Sequence, residues 1–233
     1  MNLHLFAENW GFISKGLMET FKLAGVSLLC STIIAVVLGT LSVMRLPWIG
    51  RVIRGAVELF RAIPLVVNIF FFYFVAPTLG VDLSPFGSVT LGLSLWGGAN
   101  GTEIVRGGLA SVSSHQWHSA RALGMSTFQI FVTIVWPQAL KSILPPYAGL
   151  LTLLVQGTSL GALVGVSEFL KTSQIIVERT TVMGGGSPAF MVYSVVLLTY
   201  FVICSCISQL SRRLERRYRA SAWVAKPLGV SLE

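Results

Sequence analysis

Charge is scarce in this chain. Of 233 residues only 17 are Lys or Arg and nine are Asp or Glu, less than half the charged share of an ordinary soluble domain. With 54% hydrophobic residues and a mean hydropathy of +0.76, the chain cannot cover itself with a surface that water would solvate. A soluble globular domain and a disordered chain are both excluded. Cysteine is scarce too. Cys30, Cys204 and Cys206 all lie inside apolar runs, where they read as small core residues rather than a disulfide scaffold. Catalytic motifs are missing: there is no GxxxxGK[ST] loop, no HExxH, no GxSxG and no pair of His or Cys at metal spacing. The three histidines are His4, His115 and His118, none of them inside an apolar run. A membrane enzyme would place His, Asp or Ser clusters within its spans, and this chain does not. No catalytic residue, metal site or bound cofactor is expected.

Long apolar runs are what the sequence does have. A helix crossing a bilayer needs about 20 mostly apolar residues. Five segments meet or approach that: Leu23–Met44, Ile63–Leu79, Phe86–Ala110, Tyr147–Val166 and Ala189–Leu210. The third is the weakest, because Glu103 and Arg106 interrupt its second half. The fold class is therefore all-α, a polytopic membrane helix bundle of about five spans. Residues 1–15 include Glu8 and lack a basic start followed by a short apolar core, so no cleavable signal peptide is expected.

The basic residues set the expected orientation. With the N-terminus outside, the inside segments hold Arg45, Arg51, Arg54, Arg61, Arg106, Arg121, Lys141, Lys226 and the five arginines Arg212, Arg213, Arg216, Arg217 and Arg219, which is 13; outside remain Lys15, Lys22, Lys171 and Arg179, which is four. The positive-inside rule then puts the N-terminus out and the C-terminus in the cytoplasm. The same clustering explains the net charge of +8 as topology anchors beside anionic lipid, with no need for nucleic acid.

One sizeable inside loop results, about 111–144, and it is punctuated like two short helices. Ser113 or Ser114 can cap the first, Gln116–Leu123, which stops at Gly124; Ser126 can cap the second, Thr127–Val135, expected to end before Pro137. Pro145-Pro146 should form a rigid lead-in to the fourth span. A short capped helix held out from a bundle is shaped to plug into a partner.

Within the spans, Glu58/Arg61 and Glu103/Arg106 each have i,i+3 spacing, so each pair shares a helix face. Ionisable groups at membrane depth must pair, face the bundle interior or line a wet path. Either a structural ion pair or a gate satisfies that. Gly157, Gly161 and Gly165 recur every fourth residue and suggest a close-packing seam, with Thr158 and Ser159 beside it.

The loop resembles a known pattern. His118-Ser119-Ala120-Arg121-Ala122-Leu123-Gly124, followed by Ile134-Val135-Trp136-Pro137, is similar to the EAA loop of bacterial ABC importer permeases. Glu58-Leu59-Phe60-Arg61-Ala62-Ile63-Pro64-Leu65 resembles the ELFRGTPLL signature of the polar amino acid permeases (the histidine, glutamine, glutamate and arginine/opine group). Glu103–Gly108, Pro137–Leu140 and Thr158–Leu160 resemble that group's AEIFRGG, LPQAL and KDTSL. The matches follow the family's order over about residues 16–215. His118-Ser119 stands for Glu-Ala, Gln156-Gly157 for Lys-Asp, Trp136 for a leucine, and Asn100 where a tyrosine is common.

The resemblance implies a permease subunit of an ATP-driven amino acid importer. Residues 1–211 would form the transmembrane domain and 212–233 a basic cytoplasmic tail. Its partners would be two copies of an ABC ATPase that binds ATP-Mg, a second permease subunit (identical or paralogous) and an extracytoplasmic amino-acid-binding protein. Trp117, His118, Ser119, Ala120, Arg121, Leu123 and Gly124 would form the ATPase-docking coupling helix. Glu58, Arg61, Pro64, Glu103 and Arg106 are expected as an inside gate or helix clamp, and Asn100, Gln156, Thr158 and Ser159 as the substrate path. A stand-alone channel or ion-coupled carrier is the competing reading, but such a carrier would show internal repeats and an unpaired intramembrane acid. A non-transporting scaffold would leave the capped loop without a purpose.

Overall fold

The computed structural model describes residues 2–44, 47–183 and 186–223. Among them every regular element is a helix: α1 (Asn2–Glu8), α2 (Trp10–Val43), α3 (Pro47–Ala62), α4 (Leu65–Phe70), α5 (Pro85–Ala110), α6 (Ser114–Ala122), α7 (Thr127–Ile130), α8 (Trp136–Gly157), α9 (Phe169–Val182) and α10 (Ala189–Trp223). Two π-helical turns, Phe71–Val75 and Phe131–Val135, and two 3₁₀ segments, Ala76–Leu79 and Thr158–Val164, join some of these into longer rods. The last ten residues of the expected cytoplasmic tail, 224–233, lie outside the described residues, as does Arg45; α10 itself passes residue 212 without a break.

Three stretches are long and apolar enough to cross a bilayer alone: Trp10–Val43, Thr127–Val164 and Ala189–Arg213. A bent pair, Trp48–Ala62 with Leu65–Leu79, can supply a fourth. Helix α5 is diluted by Gly, Ser and Thr, yet its 26 residues span about 39 Å, enough to cross. Its weak apolar signal follows from its place. It packs against α2, α3, α4 and α8, and a helix walled off from lipid needs no apolar outer face.

The α2–α5 contact is the most extensive in the bundle. The buried face of α2 includes Gly16, Thr20, Ala24, Ser27, Ser31, Ala35 and Gly39, small residues on a four-residue ridge. Helix α5 answers with Gly97, Gly98 and Gly101. A Cβ added to Gly101 would lie 2.6 Å from the Ala35 Cβ, and one on Gly39 would lie 2.6 Å from the Val105 Cβ. In a membrane, where burial away from water drives nothing, such backbone approach is what holds two helices together. The seam expected on Gly157, Gly161 and Gly165 is smaller. Gly157 does face Leu93 and Leu65, but the chain tightens to 3₁₀ at Thr158 and Gly165 takes a left-handed φ of 85°, which ends the helix.

Several boundaries differ from the sequence reading, each for a physical reason. Helix α2 starts at Trp10, well before Leu23, because Lys15, Glu19 and Lys22 lie on its exposed side, with Lys22 and Glu19 paired at 2.6 Å. Helix α3 was not anticipated at all; it meets Leu65–Leu79 at 101°. Pro64 sits at that bend, where the buried Asn68 side chain donates to the carbonyls of Phe60 and Ile63, both at 3.4 Å, covering the open end of α3. The helix after Ser126 does not stop before Pro137. Its π turn lets the Trp136 N–H reach the Phe131 carbonyl, and Pro137 falls in the first turn of α8, where no N–H is required. Pro145 and Pro146 lie inside α8.

Beyond the expected features, Glu168 is fully buried. Its carboxylate caps α9, accepting from the N–H groups of Leu170 (2.9 Å) and Lys171 (2.7 Å), and it also accepts from the Tyr200 hydroxyl at 3.1 Å. Thr20 on α2 accepts the Phe169 N–H at 3.0 Å. Burial pushes the Glu168 carboxyl above its ordinary range, and these donors pull it back. Helices α2, α9 and α10 are thus tied at one polar point.

The α2–α5 seam should be intolerant of bulk. Gly101→Leu should lower thermal stability in detergent by about 1–3 kcal/mol or prevent folding, as overpacking does. Gly25→Leu, on the exposed side of α2 with open space beside it, should behave like the parent. Equal stability of the two variants would contradict the seam.

Candidate translocation surface and docking loop

Helices α3, α5, α8 and α10 surround an open cavity of about 980 Å³. Its polar side chains come mainly from one turn-spaced face of α5, namely Asn100 and Glu103, from Arg61 at the end of α3, and from Gln156 near the end of α8. Trp96 and Pro146 supply apolar walls, and Gly149 leaves room between them. A second groove of about 510 Å³ shares Gln156 and Ser208 and follows α10 from Tyr200 to Arg212.

The charges are arranged unequally. Arg106 grips Glu103 with two hydrogen bonds, Nη2 to Oε2 at 2.5 Å and Nε to Oε1 at 3.1 Å. This bidentate geometry is the strong form of the pair. Arg61 is held more loosely: its Nη1 stands 4.0 Å from Glu103 Oε2, and its Nε donates to Asn100 Oδ1 at 3.3 Å. Asn100 in turn donates to the Trp96 carbonyl at 2.9 Å, which fixes its amide orientation. The expected Glu58–Arg61 pair is replaced by this cross-helix contact. Glu58 is exposed, and α3 directs the Arg61 guanidinium across to α5.

Arg61, Asn100, Glu103 and Gln156 therefore gather around one cavity. From the sequence, Arg61 and Glu103 are expected in a gate and Asn100 and Gln156 in a substrate path; the fold puts all four on one cavity. Thr158 and Ser159 fall away from it. Thr158 is fully buried and donates to the Val155 carbonyl at 2.7 Å, and Ser159 donates to the Gln156 carbonyl at 2.7 Å. Hydroxyls that bond back to their own helix have no donor left to offer a solute.

The loop follows its sequence signals closely. Ser113 caps α6, accepting the His115 N–H. Gly124 is left-handed with φ of 80°, and the Gly124 and Met125 N–H groups return to the Arg121 and Ala120 carbonyls at 2.9 and 3.2 Å, a Schellman-type stop. Ser126 and Gln129 form a reciprocal capping box. The faces need one correction. Ala120 is buried in this chain's own cluster with Ile130, Val135 and Ala139, and Trp117 packs against it. Both help anchor α6: Ala120 is buried and has no surface to offer a partner, while Trp117 is half-buried. His118, Ser119, Arg121 and Leu123 are exposed. Leu123 is 82% exposed and Phe128 76%. Phe128 was not singled out from the sequence; an aromatic two residues after a capping serine gives no sign of which way it faces.

Comparison with known proteins agrees with this architecture. Residues 31–220 match the family described as "Binding-protein-dependent transport system inner membrane component". The chain is 31% identical over 210 residues to the probable glutamine ABC transporter permease protein GlnP of Bacillus subtilis (strain 168), covering 90% of this chain and 95% of the relative. It is 29% identical to the L-cystine transport system permease protein TcyB of the same organism, covering 89% and 87%. Among solved structures it resembles an amino acid ABC transporter crystallised with histidines (TM-score 0.83, 23% identity, covering 93% of this chain and 98% of that one). It also resembles the inward-facing MetNI methionine ABC transporter (TM-score 0.73, 19% identity, 91% and 98%). With a continuous family match over most of its length, the chain belongs to the binding-protein-dependent transport system inner membrane components and is a multi-pass permease subunit of an ABC transporter.

Proposed function

We propose that this subunit forms, with a second permease that is identical or paralogous, the path of an ATP-driven importer for a polar amino acid. The observation that carries the reading is the cavity itself. Arg61 offers a loosely held cation to a carboxylate, while Glu103, Asn100 and Gln156 offer acceptors and amides to an ammonium group and a polar side chain. Relatives named for glutamine and L-cystine support an amino acid as cargo. The Glu103–Arg106 pair clamps the inner half of α5, and Arg61, beside the Pro64 bend, links that clamp to the cavity. Gate and pocket then share residues, which couples substrate arrival to helix movement.

In this reading the energy comes from two copies of an ABC ATPase, which hold ATP-Mg and accept the α6–α7 loop in a cleft. Its exposed apolar tip, Leu123 and Phe128, suits a groove that excludes water. An extracytoplasmic binding protein delivers the amino acid. The chain sits in the bacterial cytoplasmic membrane with its N-terminus outside, and residues 212–233 form a basic cytoplasmic tail after the permease domain 1–211.

Three outcomes test these assignments. Uptake measured in vesicles with the full complex should show a half-saturating amino acid level raised roughly ten- to hundredfold by Arg61→Gln, the range lost with one charged hydrogen bond. Gln156→Ala should raise it less, and Glu103→Gln should leave ATP hydrolysis running without matched uptake. Unchanged half-saturation in both Arg61→Gln and Gln156→Ala would remove the substrate from this cavity. For the loop, Gly124→Leu places a Cβ in a left-handed backbone at a cost of about 1–2 kcal/mol. It should abolish co-purification of the ATPase while membrane insertion persists, and normal uptake would take the loop out of the mechanism. For orientation, an Asp82→Cys variant should react with an impermeant thiol reagent on intact cells and a Gln116→Cys variant should not; the reverse pattern would invert the topology.

A further inference from the structure

We propose that α3 lies along the membrane surface and binds anionic phospholipid headgroups through Arg51 and Arg54. This goes beyond transport and concerns a surface that the cavity does not use. The bend supplies the geometry. Leu65–Leu79 contains no charged residue, whereas α3 carries Arg51, Arg54, Glu58 and Arg61 in 16 residues. The uncharged arm is the one that can enter the hydrocarbon without burying charge, and an arm at 101° to it runs close to the membrane plane when that arm stands upright.

Side chains on α3 fall into three faces that suit such a position. Ile53 and Val57 are buried against Leu38 and Leu41 of α2 and Ala99 of α5, so the helix is fixed to the bundle. Trp48, Val52 and Leu59 share an apolar face and are 74%, 71% and 56% exposed. Arg51, Arg54 and Glu58 occupy a third face and are exposed. The Arg51 guanidinium sits 4.1 Å from the centre of the Trp48 ring, so an indole and a cation meet at one level. Tryptophan favours the membrane–water boundary, and amphipathic helices with arginine beside the apolar face lie there. The occupant follows from charge. With two arginines and one glutamate this face is net positive, which favours an anionic headgroup, and a second copy of this chain across a two-fold axis would set one net-positive face against another.

The test uses the intact transporter complex in vesicles containing phosphatidylcholine and phosphatidylglycerol, with bromine on the acyl chains of one lipid or the other. Trp48 emission is isolated as the difference between the parent and Trp48→Phe. Brominated phosphatidylglycerol should quench it more strongly at equal content. Arg54→Gln, which leaves the Arg51–Trp48 contact in place, should reduce the local enrichment about fivefold at low ionic strength. Arg54→Lys should retain it, and added salt should erode it. Equal quenching by the two lipids, a preference unchanged in Arg54→Gln, or no quenching by either lipid because protein covers the face, would each overturn the proposal.

Discussion

The close approach of α2 and α5 is the constraint on which the rest of the bundle depends. Lipid chains are as apolar as leucine, so two membrane helices gain little by touching unless their backbones come near enough for dense contact and short-range polar attraction. The ridge Ser27, Ser31, Ala35, Gly39 against Gly97, Gly98 and Gly101 supplies that nearness. It also places a weakly apolar helix at the centre. Thirteen of the 26 residues of α5 are buried, and this shielding lets one helix carry Asn100, Glu103 and Arg106 at membrane depth. Without α2 on one side and α8 on the other, those groups would face hydrocarbon, where each is costly.

What was legible in the sequence was what local chemistry decides. Ser113, Gly124 and the Ser126–Gln129 box act within a few residues of themselves, so the loop took the caps and the stop that were expected. Runs of apolar residues also report directly on lipid contact. Helix α3 was hidden because its apolar residues are split between a buried face and an exposed one, and charges at Arg51, Arg54 and Glu58 interrupt any run. The four-residue ridge on α2 is present in the sequence but hidden in a continuous apolar stretch, whereas the glycines of the fourth span stand out by their regular spacing. Glu168 gave no sign at all. Its partners Thr20 and Tyr200 lie 148 and 32 residues away, and only the fold brings them together.

The charge arrangement shows why spacing alone misassigns one of the two pairs. Both Glu58/Arg61 and Glu103/Arg106 have i,i+3 geometry, yet only the second closes. On α5 the pair is partly buried between helices, and a bidentate contact is the cheapest way to keep two charges there. On α3 Glu58 is already solvated, so Arg61 gains more by reaching Glu103, where it offsets a carboxylate in a drier place. The result is one acid shared by two bases of unequal hold. Arg106 is locked and Arg61 is free to exchange partners. A fully satisfied cluster has nothing left to offer and an unsatisfied one would be too costly to bury, and this unequal sharing lies between the two.

The same economy extends along the rod Thr127–Val164. Its 38 residues, about 57 Å at helical rise, begin beside the exposed Phe128 and include Gln156 on the cavity. The loop and the cavity are therefore joined by one continuous helix. Two places along the rod are softer than the rest. The π turn at Phe131–Val135 replaces i−4 bonding, and Pro145-Pro146 removes two N–H donors inside α8. Both lie between the loop and Gln156, and Pro146 itself lines the cavity. Bending there would swing the Gln156 end relative to Glu103 on α5. The close-packed seam and the softer rod thus differ in kind: one holds the charged groups of α5 in register, and the other carries the opposite wall of the cavity on a helix with two weakened turns.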